Sequence, residues 1–92
     1  MTKYLVFITV IGKDRKGIIA RISNAVYQHN INIEDLNQKV MDGYFVMTMA
    51  VDMSDSALSI GELKKELAKI EAEMGLNIQV QHENIFKTMH RV

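Results

Sequence analysis

Residues 3–11 read KYLVFITVI, and residues 44–51 read YFVMTMAV. In the first run Tyr4, Val6, Ile8 and Val10 alternate with Leu5, Phe7, Thr9 and Ile11, so both alternating sets are largely apolar. β-Branched and aromatic residues at this density predict strands. A strand that is apolar on both sides belongs inside a sheet, covered on both faces. The other elements must therefore be arranged around these two.

Between them the period changes. GKDRKG at residues 12–17 brackets a charged turn with two glycines and reads as a tight loop. From Ile18 onward, Ile18, Ile19, Ile22, Ala25, Val26 and His29 share one helical stripe, and Asn30 suits the helix end. In residues 31–41, INIEDLNQKVM, the apolar positions switch phase from Ile31 and Ile33 to Leu36 and Val40. A regular strand cannot do this without turning side chains to the other face. The segment therefore reads as a lead-in followed by a strand, or as a strand bulged near Glu34 and Asp35. Asp42-Gly43 is a hairpin turn signal.

After a polar connection at residues 52–59, Ser59 and Glu62 form a capping box. Ile60, Leu63, Leu67, Ile70 and Met74 recur at helical steps, and Gly75 is placed to end that helix. Leu76, Ile78 and Val80 alternate with polar residues, as in an edge strand with one buried face. Ile85, Phe86, Met89 and Val92 fit one side of a short terminal helix. The order β-α-β-β-α-β, with right-handed crossovers, points to an α+β ferredoxin-like sandwich. That fold places the first and third strands centrally, as their composition requires. The helices of this fold cover one sheet face, which leaves the second to the C-terminal segment or to a partner subunit.

Composition narrows the function classes. Ninety-two residues make one domain, 1–92, and a domain this small buries only roughly 60–65% of its unfolded surface. Oligomerisation would help it. Net charge is zero and no basic block occurs, which argues against a nucleic-acid face. There is no cysteine, and His29, His82 and His90 lack close metal-ligand spacing, so neither a metal nor a cofactor is expected. No secretory pattern and no apolar run of membrane-spanning length occur, so a cytoplasmic protein without a membrane partner is expected.

The loop 12–17 is the leading candidate site. It runs into a helix N-terminus, whose free N–H groups can hold a carboxylate or phosphate. Lys13, Arg15 and Lys16 add positive charge, and Asp14 could cap the helix or hold an amine. A solvated turn is the plainer reading. Asn30 and Asn32 lie at the other end of this βα unit and would reach the loop only across a dimer; singly they read as a helix stop and a turn. The polar row Glu34, Asp35, Asn37 and Gln38 fits either a partner-binding edge or ordinary edge protection. Met41, Met47, Met49 and Met53 read as adaptable packing rather than as a soft-metal site. No nucleophile is arranged around any histidine, so no catalytic residue is assigned.

The stretches VIGKDRKGIIARIS and NINIEDLNQKVMDGYFVMTMAVD resemble ACT domains, small regulatory modules that sense amino acids. HENIFKTMHRV resembles the tail of the stand-alone UPF0237 members, and related modules occur in the glycine-cleavage regulator and in formyltetrahydrofolate hydrolase. The resemblance implies βαββαβ topology, a homodimer, and an amino acid or similar metabolite held near the first loop at the subunit interface. Gly12, Asp14, Arg15, Gly17 and Ile18 map onto the loop and helix start, with Asn30 and Asn32 completing the site from across the interface. Lys16 stands where many ACT loops have proline. The resemblance implies a non-enzymatic regulator acting on another protein. Two alternatives remain: a dimeric protein-binding scaffold without a small ligand, and an acylphosphatase-like hydrolase using Arg15 for phosphate and Asn37 to orient water.

Overall fold

The computed structural model describes residues 3–89; the roles expected for the Met89 side chain, His90 and Val92 fall outside the described residues. The elements are β1 (Leu5–Lys13), α1 (Ile18–Gln28), β2 (Asn32–Met41), β3 (Tyr44–Asp52), α2 (Ile60–Met74), β4 (Asn77–His82) and α3 (Glu83–Met89). The sheet order is β2-β3-β1-β4, all antiparallel. This is the expected ferredoxin-like arrangement with a short C-terminal helix, and β1 and β3 are central.

Register places the core. Cross-strand partners share a face, so Leu36, Met49, Ile8 and Val80 form one row across all four strands. Val6, Ile8, Val10, Met47, Met49 and Val51 are fully buried beneath α1 and α2. Those helices contribute Ile18, Ile22 and Val26, and Leu63, Leu67 and Ile70. The phase switch in β2 is a bulge: Ile33 pairs with Val51 and Asp35 with Ala50, so Glu34 is skipped and Ile33 and Leu36 face the same side. At the β2–β3 turn, Asp42 and Gly43 have φ of 54° and 82°. Positive φ at both central residues is the requirement of a type I′ hairpin.

Both long helices end as their sequences dictate. Asn30 has φ 60°, its N–H donates to Tyr27 O, and Ile31 N–H donates to Val26 O. This is the Schellman pattern with asparagine in the left-handed position, and Ile31 and Val26 supply its apolar contact. At the start of α2, Glu62 N–H donates to Ser59 Oγ (3.1 Å) and Ser59 N–H donates to Glu62 Oε1 (2.9 Å).

Within the chain the second sheet face is only partly covered. Leu5, Phe7, Val46 and Ala50 are only half-buried there, and Ile11 (46%), Met41 (52%) and Tyr44 (50%) are exposed. The seven residues of α3 are too few to span the sheet. They cover β1 and β4, where Phe86 stacks on Phe7 with centroids 4.2 Å apart. Of the four methionines grouped by sequence, Met47, Met49 and Met53 are core, while Met41 is on this open face.

Ser59's N–H holds the Glu62 carboxyl below its ordinary 4.5, and the N–H groups of Ser54 and Tyr4 hold Asp52 below 3.8. A carboxylate with a lowered folded pKa contributes stability above its unfolded value and loses it as pH falls through the folded value. The denaturant midpoint should therefore fall as pH drops from 5 toward 3. Glu62→Gln, which keeps the capping geometry but cannot titrate there, should flatten that decline, as equilibrium urea titrations at several pH values would show.

Candidate functional site

The strand β1 runs through Gly12 and Lys13, two residues beyond the expected start of the loop. The cause is pairing: Gly12 lies opposite Phe45 and Lys13 opposite Tyr44. A Cβ on Gly12 would stand 2.6 Å from Leu76 Cδ2. The Leu76 side chain, just before β4, would have to swing aside for it. The loop proper is Asp14–Gly17. Its first residue is anchored, because Asp14 N–H donates to Gly43 O at 3.0 Å and ties the loop to the β2–β3 turn.

Gly17 is the N-cap of α1, with φ 89° and no side-chain capping bond. Asp14 thus does not cap the helix. The first helical bond runs from Arg21 N–H to Gly17 O, so the amides of Ile18, Ile19 and Ala20 precede it. Such amides are the unsatisfied donors of a helix start, at the positive end of its dipole. They border an open cleft of about 290 Å³. Asp14, Arg15, Gly17 and Ile18 line it from the loop and helix, and Gln38, Val40 and Phe45 line it from the sheet.

Gln38, Val40 and Phe45 were not anticipated. The available signal was Gln38 itself, a polar residue at an inward-facing position, opposite the buried Met47 and in phase with Leu36 and Val40. Recognising it required placing the bulge first.

Asn30 and Asn32 are at the opposite end of the sheet from the cleft. β2 separates Asn32 from Met41, roughly 30 Å at strand rise. Within the chain both asparagines have local partners. Asn30 Nδ2 donates to Asp55 O at 2.9 Å, fastening α1 to the β3–α2 connection. Asn32 Nδ2 donates to Glu34 Oε2 at 2.5 Å, and Glu34 also pairs with Lys3. Lys3 and then Asn32 hold the Glu34 carboxyl below its ordinary value. Asn37 pairs with Thr48 on the open sheet face, whereas Arg15 lines the cleft on the helix face. The sheet separates these two side chains, so the hydrolase pairing is not assembled within the chain.

Both histidines among the described residues, His29 and His82, have partners. His29 Nε2 lies 3.3 Å from Glu66 Oε1, between α1 and α2. His82 Nδ1 accepts Asn84 N–H at 3.1 Å, and its ring meets Tyr4 edge-on with centroids 5.1 Å apart. Among the described residues no helix is long and apolar enough to cross a membrane.

Two substitutions separate backbone need from packing need. Nothing lies within 4 Å of a Cβ on Gly17, but its φ is unfavourable for an L-residue, so Gly17→Ala should cost about 1 kcal/mol through strain alone. Gly12→Ala should instead couple to Leu76. In a double-mutant cycle with Leu76→Ala the two losses should be sub-additive by about 1 kcal/mol, read from chemical denaturation.

Comparison with known proteins agrees with this architecture. The ACT domain family model matches residues 4–81. A UPF0237 protein of Methanopyrus kandleri is 48% identical over 85 residues, covering 92% of this chain and 94% of its own. An ACT domain protein from Streptococcus pneumoniae superposes with a TM-score of 0.80 at 32% identity, covering 94% of this chain and 97% of its own. The fold also recurs in a formyltetrahydrofolate deformylase from Pseudomonas syringae (TM-score 0.83, 18% identity), where the match covers 89% of this chain and 28% of that one. With matched strands, helices and length, the chain belongs to the ACT domain family, among its UPF0237 members.

Proposed function

We propose that this chain is a non-enzymatic regulatory module that binds an amino acid or a closely related metabolite in the α1 cleft, as a homodimer. The uncapped start of α1, open to a cleft with both Arg15 and Asp14 at its rim, carries the reading. The ligand's carboxylate would take the Ile18–Ala20 amides and Arg15, its ammonium would face Asp14, and its side chain would rest on Val40 and Phe45. A space of about 290 Å³ suits one amino acid better than a nucleotide. Asn30 and Asn32 would join this site only from the second subunit. Binding would favour one dimer arrangement, and the coupling to a regulated protein would equal the ligand's difference in affinity between arrangements.

Ile11, Met41 and Tyr44, exposed together at one end of the open sheet face, favour a second reading as a protein-binding scaffold. Thermal unfolding against a panel of amino acids separates the two. A sensor should show stabilisation that rises with the logarithm of ligand concentration, about 2.7 kcal/mol at a hundredfold excess over Kd. Arg15→Ala and Asp14→Asn should each reduce it at least tenfold in affinity while leaving the ligand-free melting temperature nearly unchanged. No shift with any amino acid would overturn the sensing reading in favour of the scaffold.

A further inference from the structure

The sheet presents its apolar face to α1 and α2, and the register shows where that face is interrupted. Of the paired strand positions on it, all carry apolar side chains except Gly12, Gln38 and His82. Gly12 has no side chain, and His82 accepts Asn84 N–H. Gln38 is different. Among the described residues no hydrogen bond or ion pair engages its side chain. Edge strands are commonly protected by charged residues, but β2 carries those, Asp35 and Lys39, on the opposite face, level with Ala50 and Val46. Gln38 is neutral, opposite the buried Met47, and exposed only because it lines the α1 cleft.

The cleft is ordered along β2. The strand runs toward the Asp42-Gly43 turn, to which the loop is tied by Asp14 N–H. Val40, paired with Phe45, therefore lies nearer the charged loop than Gln38 does, by two strand residues or about 7 Å. Charged groups and free helix amides occupy one end, an apolar floor the middle, and a lone carboxamide the other end. An amino acid bound by its carboxylate and ammonium at the loop would lay its methylenes on Val40 and bring the end of its side chain to Gln38. A primary amide offers both a carbonyl acceptor and N–H donors. A second carboxamide satisfies both at once. A carboxylate can use only the donors, and a thioether is a weak acceptor alone.

We propose that Gln38 selects, for the α1 cleft, an amino acid whose side chain ends in a carboxamide, with glutamine as the fitting length. The proposal rests on the amino-acid reading of that cleft and names the ligand class within it.

The test uses the full chain and three probes of equal side-chain length: L-glutamine, L-glutamate and L-methionine. In calorimetric titration glutamine should bind most tightly. Gln38→Leu should lower its affinity about three- to tenfold, the worth of a solvent-exposed pair of neutral hydrogen bonds, and should make methionine the preferred probe. Gln38→Ala, which adds no apolar bulk, should weaken glutamine alike without strengthening methionine, and it serves alone if the Leu variant fails to fold. In nitrogen–proton correlation spectra the Gln38 side-chain amide resonances should move further with glutamine than with methionine. Glutamate or methionine binding as tightly as glutamine to the wild type would overturn the proposal. So would an unchanged ranking in both variants. Either result would leave the amino-acid reading standing, because binding itself would have been seen. Absence of binding by all three probes would also overturn the proposal, and the wider amino-acid panel then decides whether the sensing reading falls with it.

Discussion

Ile8 is fully buried between Met49 of β3 and Val80 of β4, and the rest of the molecule depends on that row. Strand side chains alternate with a period of two, so a slip of one residue at β1 would turn Val6, Ile8 and Val10 out of the core together. The cost would be the burial of three β-branched residues, each contributing roughly 1.5–3 kcal/mol. A domain with few core residues cannot absorb such a loss. The register of β1 is therefore set by its own inward face, and the neighbouring strands take their positions from it.

The cleft inherits its geometry from this register. With Ile8 opposite Met49, the ladder carries β1 on to Lys13 and brings Asp14 to the β2–β3 turn. Phe45 and Val40 are then inward-facing at the end of the sheet, just beyond the cover of α1. The helix start, the charged loop and the apolar floor come together because one strand is two residues longer than the residues before the first glycine suggest.

Much of the fold was legible in the residues, for reasons that differ by element. The doubly apolar character of 3–11 and 44–51 located the central strands. Asp42-Gly43 and the Ser59–Glu62 box marked their turn and cap through local chemistry alone, and the structure contains both. The phase switch between Ile33 and Leu36 left either a lead-in or a bulge, because no regular strand satisfies both positions, and the register shift makes it a bulge. The candidate site was legible only in its local half. Asp14, Arg15, Gly17 and Ile18 are close in sequence, and a loop entering a helix is visible there. Gln38, Val40 and Phe45 are brought in by register, which periodicity constrains only after the bulge has been placed. Gly12 resembled a loop glycine because its neighbour, Leu76, is remote in sequence. The extent of α3 was also hidden: apolar spacing marks a helix but does not say how much of a sheet it covers.

The bulge at Glu34 has a consequence for how this chain can vary in length. Because Ile33 and Asp35 pair with the adjacent residues Val51 and Ala50, Glu34 is supernumerary to the ladder. Removing it would leave Ile33, Leu36, Gln38 and Val40 facing the same way and would straighten the strand. A deletion elsewhere in β2 would invert every side chain on one side of the gap. Glu34 is therefore the place where this edge can gain or lose a residue without exchanging its faces, at the expense of the contacts to Lys3 and Asn32.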